Sequence, residues 1–259
     1  MQRLNSLLSS VGLELSSEQL EQFDKYYNLL IEKNKVMNLT AITEKDDVIL
    51  KHFTDSLMIY TIPEFRKLIS SSSPRMIDVG TGAGFPGIPL KIAFPNLEVV
   101  LLDSLGKRVK FLDEVISELG LTGITALHGR AEEAAHNKGV SLSDETRLDF
   151  SEETPIPSLR EGFDLVTSRA VSSLSVLTEY SLPFAKTGGL FIPYKSGEID
   201  EELKAASNAI SISGGKLIRA DKMLLPDSDI QRSFIIIKKG KPSPKRLPRK
   251  AGDIKKKPL

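Results

Sequence analysis

The chain contains no cysteine and only three histidines, His52, His128 and His136. Without cysteine there is no disulfide framework, no thiolate zinc site and no cysteine nucleophile. No two of the histidines stand at ligand spacing, so the expectation is that no metal is bound. No apolar run approaches the roughly 20 residues that cross a bilayer. The N-terminus, MQRLNSLLSSVGLELSSEQ, is too polar for a secretory core and too poor in arginine for a transit peptide. These absences lead us to expect a cytoplasmic chain with no membrane partner. What is present fits an ordinary globular protein: 259 residues, 40% hydrophobic and 27% charged. That length suits one large domain, or one domain with a small appendage.

Charge is unevenly spread. Residues 238–259 hold ten Lys or Arg against one acid, Asp253, a local charge of +9 in a chain whose total is +1. The remainder therefore carries −8. Such a run is either a solvated terminus or a contact for an anionic partner. Prolines at 242, 244, 248 and 258 predict an extended arm over 241–259 with no helix in it.

Two regions precede that arm. Residues 1–70 read as helical: Ser16 and Gln19 form a capping-box pair, and Leu20, Phe23, Tyr27, Leu30 and Ile31 follow at helical spacing. A second helix is predicted over 46–60. Ser70 to Pro74 punctuates the chain as a linker would. Over 71–240 the pattern alternates. Strands are predicted at 75–79, 97–103, 124–128, 163–168, 190–194, 216–220 and 233–238, and helices near 86–94, 105–119, 172–182 and 198–209. This is a βαβα series, hence an α/β fold with a largely parallel sheet covered on both faces. Residues 136–162, rich in acids and turn formers, read as a long surface loop.

The stretch MIDVGTGAGFPGIPLKIA at 76–93 carries the clearest chemistry. Gly82, Gly84 and Gly87 spell G-x-G-x-x-G, and Gly80 precedes them. Glycines there allow a sharp turn and close backbone approach to a ligand beyond the end of a strand. Asp103, ending the next predicted strand 21 residues after Gly82, is placed to accept from ribose hydroxyls and disfavours a 2′-phosphate. NAD and S-adenosyl-L-methionine both carry such a ribose. Pro86 removes a donor from the helix start where a pyrophosphate would dock. Asp78, polar in a buried strand, must bond either the turn or the ligand, for which an ammonium group is suited. The balance favours S-adenosylmethionine.

The sequence Asp78 to Leu90 resembles the first motif of the bacterial 16S ribosomal RNA guanine-N7 methyltransferases, the glucose-inhibited division protein B family. The likeness extends to residues 38–42 (NLTAI), 52–57 (HFTDSL), 102–104 with Lys107 and Arg108, 129–133 (GRAEE), 166–171 (VTSRAV) and 248–252 (PRKAG). The 136–162 stretch is longer than the family usually has. The resemblance implies a Rossmann-like class I methyltransferase with a seven-strand, mostly parallel sheet and an N-terminal helical extension. It implies S-adenosylmethionine as donor and guanine N7 in 16S rRNA of the small ribosomal subunit as acceptor; separately, we expect a monomer.

The resemblance also implies site residues. Gly80 and Phe85 would line the cofactor site, with Gly82 and Gly84 shaping the loop and Asp103 holding the ribose. Ala131 and Glu132 would meet the adenine edge, and Arg169 would stand at the junction of cofactor and substrate as the candidate catalytic group. Each residue has a plainer use: Phe85 in the core, Glu132 as a helix-start acid, Arg169 in an ion pair. Asn38 and His52 serve equally well as cap and core residues. Two other functions fit parts of the pattern. An NAD-dependent oxidoreductase would need a proton-relay pair such as Tyr-x-x-x-Lys, which the adjacent Tyr194 and Lys195 do not make. A non-catalytic ribosome-binding factor would use the basic arm alone.

Overall fold

The N-terminal helices begin and end where their local chemistry dictates. In the computed structural model, which describes residues 1–142, 158–169 and 172–259, α1 (Gln2–Ser9) is followed by α2 (Ser17–Met37). Ser16 caps α2 by accepting from the Gln19 N–H, and Gln19 returns the bond to the Ser16 N–H. Gln19 Nε2 also donates to the carbonyls of Ile92 and Ala93, at 2.8 and 3.2 Å, so the cap docks on the main domain. Asn38 closes α2 in the left-handed conformation.

The single helix expected over 46–60 is instead four short pieces: α3 (Lys45–Val48), a π-helical turn (Ile49–Thr54), α4 (Asp55–Leu57) and a 3-10 turn (Met58–Thr61). Inserted π turns tend to mark functional sites, and this one carries His52. α5 (Pro63–Ile69) leads into the sheet.

The sheet has seven strands: β1 (Arg75–Val79), β2 (Glu98–Asp103), β3 (Ile124–His128), β4 (Phe163–Arg169), β5 (Ala185–Lys195), β6 (Gly215–Leu224) and β7 (Gln231–Lys239). Their order is β3-β2-β1-β4-β5-β7-β6. The first five are parallel, and β7 runs antiparallel to both its neighbours. Between the strands lie α6 (Gly87–Ala93), α7 (Gly106–Glu118), α8 (Ala131–Ala134), α9 (Leu174–Ser181) and α10 (Asp200–Ile212). Each predicted strand is present. β6 runs longer than expected because its polar residues obscure the pattern. Arg219, for example, is held on it by Glu64 (2.5 and 2.8 Å) and Asp221 (2.9 Å).

One face of the sheet is covered by α2, α5 and α6, where Phe23, Tyr26, Phe53 and Phe65 join Ile88, Leu101 and Leu165 in one buried cluster. The other face buries Ile77, Leu102, Leu127, Val166, Leu177 and Phe184. The N-terminal helices thus form a layer of the main core. Strand order reverses at β1, between β2 and β4, which opens a crevice at the carboxyl ends of these strands.

The C-terminal segment corrects the sequence-based expectation. It is not an extended arm: residues 251–256 form α11 (Ala251–Lys256), and Leu247 and Ile254 are buried. The prolines at 242, 244 and 248 all precede this helix, and Pro258 follows it, so none interrupts it. Arg160 donates to the carbonyls of Ser243, Pro244 and Leu247 at 2.8–3.0 Å. Arg249 grips the fully buried Glu179 of α9 through its backbone N–H, Nε and Nη2 at 2.7–2.9 Å. Of the expected 136–162 loop, residues 143–157 lie outside the described residues; Ser141 pairs with His128 in an isolated bridge.

Candidate active site

The turn after β1 spends its backbone donors internally. The N–H groups of Gly80 and Thr81 go to Leu102 O, those of Gly84 and Phe85 to Thr81 O, that of Gly82 to Asp103 Oδ2 and that of Gly87 to Asp78 Oδ2. Pro86 has no N–H to give. A pyrophosphate needs several converging free donors, and these are occupied. The glycines differ in kind. Gly84 (φ +100) has no room for a Cβ, which would stand 2.8 Å from Tyr26 Oη and against Ile88; Tyr26 in turn donates to Ala83 O at 2.5 Å. Gly82 (φ +63) has nothing within 4 Å of a Cβ, so its backbone faces open space.

Two carboxylates brace this loop. Asp78 is fully buried; its Oδ2 accepts from Thr81 Oγ1 (2.7 Å) and the Gly87 N–H (3.0 Å), and Oδ1 faces Thr167 Oγ1 at 3.4 Å. Of the two partners considered for Asp78, the turn is one it takes. Burial pushes its carboxyl up to about 6, against the opposing pull of these hydrogen bonds and of Arg169. Asp103 is 3% exposed and accepts from the N–H groups of Gly82 and Leu105, both at 2.9 Å, with Arg108 at 3.5 Å. Oδ2 takes both Gly82 and Arg108, so Oδ1, bonded to Leu105 alone, keeps a lone pair for a further donor.

Two cavities open at the carboxyl ends of the strands. The first, about 260 Å³, is lined by Val79, Gly80, Leu102, Ser104, Ala131 and Glu132, with Val176, Leu177 and Tyr180 of α9 opposite. Apolar walls with a few polar groups suit a nucleoside. The structure thus brings Gly80, Ala131 and Glu132 together, with Asp103 and Gly82 joined to each other alongside. These residues fit S-adenosylmethionine: open space over Gly82, a cleft floored by Leu102, and an acid, Glu132, beside Ala131.

The second cavity, about 350 Å³, is lined by Lys51, His52, Asp55, Arg169, Lys195 and Arg232 among others. Arg169 lines it, and Phe85 packs behind His52 and Arg169. Arg169 is 10% exposed; its Nη1 donates to Asp55 Oδ2 at 2.7 Å, and its guanidinium lies over the Phe85 ring, 5.0 Å from the centroid. Asp55, fully buried, is held on its other oxygen by Arg232 at 2.5 Å. His52 stacks on Phe85 at 4.5 Å and shares a hydrogen bond with Thr40 Oγ1. Burial, and next the Arg169 charge, depress the His52 imidazole to about 3, so it is neutral. Phe85 is both core residue and platform, being 5% exposed. Sequence reasoning missed Asp55, Arg232, Lys51 and Lys195. Asp55 stood within the HFTDSL motif, but its cationic partners come from strands far along the chain.

Among the described residues no helix is long and apolar enough to cross a membrane, and no cluster of His, Asp or Glu could hold a metal ion. The fold is shared with a putative sarcosine dimethylglycine methyltransferase from Galdieria sulphuraria, 12% identical, TM-score 0.52, over 76% of this chain and 88% of that one. A mutant of MtNAS in complex with S-adenosylmethionine aligns with TM-score 0.51 at 14% identity, over 86% of this chain and 76% of that one. Sequence relatives cover nearly the whole chain. The ribosomal RNA small subunit methyltransferase G of Lachnoclostridium phytofermentans is 50% identical over 97% of this chain and 94% of its own length. That of Lactobacillus johnsonii is 46% identical over 97% and 96%, and that of Limosilactobacillus reuteri 44% over 100% and 98%. Residues 19–230 match the GidB family model, described as rRNA small subunit methyltransferase G, and the chain belongs to that family.

Proposed function

We propose that this chain, an S-adenosylmethionine-dependent rRNA methyltransferase by family, methylates N7 of a guanine in the 16S rRNA of the small ribosomal subunit. The observation that carries this reading is the second cavity. Lys51, Arg169, Lys195 and Arg232 line it with Asp55, which pairs with both arginines, while Lys51 pairs with Asp47 and Lys195 with Glu202. Four cations against three carboxylates leave a positive excess, so the cavity favours a phosphate-bearing acceptor. It lies beside Phe85, whose loop borders the first cleft. Gly80, Gly82 and Asp103 would hold the donor's nucleoside with Ala131 and Glu132, and the donor supplies an electrophilic methyl group. Guanine N7 presents an in-plane lone pair with no proton to remove, so no general base is required. In keeping with that, His52 has its two ring nitrogens engaged by Thr40 and Arg169. The rate enhancement we ascribe to the site comes from alignment, with acceptor and methyl held at about 3 Å, and from electrostatic complementarity. Arg169, fixed by Asp55 and set over the Phe85 ring, is the residue we assign to that positioning.

The test is incubation of purified protein with S-adenosylmethionine and either free 16S rRNA or assembled small subunits, followed by nuclease digestion and mass analysis. The expected product is 7-methylguanosine. Transfer to a different base atom would overturn the N7 assignment, and the two substrates together identify the acceptor form.

A further inference from the structure

The last residues of the chain form part of the wall of the first cleft. Ala251 and Lys255 of α11 line the same cavity as Gly80, Ser104 and Glu132. Their position is fixed from two sides. Ile254, between them, is fully buried, and Arg249 is bound to Glu179 of α9, the helix whose Val176, Leu177 and Tyr180 line the opposite wall. On the other side, His136 Nε2 bonds Pro248 O at 3.0 Å, and Arg160 bridges Leu247 O to Ala135 O. That contact reaches the segment following α8, which carries Ala131 and Glu132. The tail is therefore tied to both elements that frame the cleft.

Lys255, like Lys256 and Lys257, is exposed and makes no side-chain hydrogen bond or ion pair among the described residues; it differs from them in lining the cleft, with Glu132 and Tyr180. Burial and then the negative field of Glu132 and Glu179 push the Tyr180 hydroxyl up, against Arg130, which lines the same cleft 3.9 Å from Glu132. The two carboxylates outnumber that one cation, so this end of the cleft accommodates an ammonium. We propose that α11 is a component of the cofactor site, with Lys255 donating a hydrogen bond to the nucleoside portion of S-adenosylmethionine. This inference rests on the reading of the first cleft as the cofactor site.

The nucleoside is common to S-adenosylmethionine and S-adenosylhomocysteine, which differ in the sulfonium charge, so a nucleoside contact affects both equally. Calorimetry with both ligands on the full-length protein compares Lys255→Met, Lys256→Met and Asp103→Ala. Lys255→Met should weaken both ligands by about tenfold, the worth of one charge-assisted hydrogen bond. Lys256→Met, exposed and outside the cleft, should weaken neither, and neither lysine variant should shift the melting temperature. Asp103→Ala should weaken both ligands. Wild-type binding by Lys255→Met beside a weakened Asp103→Ala overturns the role of α11 and leaves the cleft assignment standing. Unaltered binding by both variants overturns the cleft reading together with it. A Lys255→Met effect confined to S-adenosylmethionine would mark a charge effect at sulfur and equally overturn the nucleoside contact.

Discussion

Asp78, next to last in β1, and Asp103, last in the neighbouring β2, both bond the same loop. Asp78 is fully buried, and that burial pushes its carboxyl up to about 6 from an ordinary 3.8. A group whose folded-state value is raised binds its proton more tightly in the folded protein. Its contribution to stability is therefore full below about pH 4 and lost as pH rises through about 6. Asp78→Asn keeps an acceptor for Thr81 and the Gly87 N–H without a buried charge. Relative to wild type, this variant should gain stability between pH 4 and pH 7, by about 2 kcal/mol. Denaturant unfolding at a series of pH values checks this, and parallel curves for the two proteins would refute it. At this scale the sequence was half legible. The spacing of Asp103 from Gly82 pointed to the right loop, but that the carboxylate holds the loop's own backbone follows only from the three-dimensional turn. Likewise nothing in one dimension distinguishes Gly82, which has open space around it, from Gly84, packed against Tyr26.

Among the elements, the largest departures from expectation arise where contacts are long-range. The apolar spacing over 46–60 tolerates an inserted π turn, so hydrophobic periodicity could not reveal it. That turn carries His52 and ends beside Asp55, whose partners Arg169 and Arg232 arrive from β4 and β7. In the C-terminal segment, proline spacing hid a short helix lying between the last two prolines, and a single isoleucine, Ile254, anchors it. Arg249 contributes more directly, because Glu179 is fully buried and takes three of its hydrogen bonds. Removing one partner of such a pair leaves an uncompensated charge in the interior. Arg249→Ala should lower unfolding free energy by about 3 kcal/mol, whereas the double variant with Glu179→Gln should recover part of that loss. Equal stability of Arg249→Ala and wild type in chemical denaturation would show that the tail is not held by this contact.

Across the whole molecule, the seven strands and the covering helices were legible because buried parallel strands write continuous apolar runs and the intervening helices write their own period. The charge asymmetry was legible too, but not its use, because one run of basic residues serves three ends. Lys239 and Arg249 are consumed inside the fold, and burial depresses the Lys239 ammonium to about 8. Lys255 borders the cleft. Lys245, Arg246 and Lys256 are exposed and make none of the side-chain bonds that hold the segment. With Lys238, Lys241, Lys250 and Lys257, which are likewise exposed, these three remain for an anionic partner, and together with the cationic cavity they make RNA binding a counterion-releasing process. For single-stranded RNA, the slope of log affinity against log salt should become shallower by about 0.7 for every phosphate that is no longer neutralised. Reversing all three to glutamate should therefore flatten the slope by about 2 and weaken binding to small subunits most at low salt. Melting temperature and S-adenosylmethionine affinity should hold steady, since none of the three lines the cleft or supports α11. An unchanged salt slope would mean that the docked segment serves only the fold and the cofactor wall, leaving the cavity around Arg169 to bind the acceptor's phosphates alone.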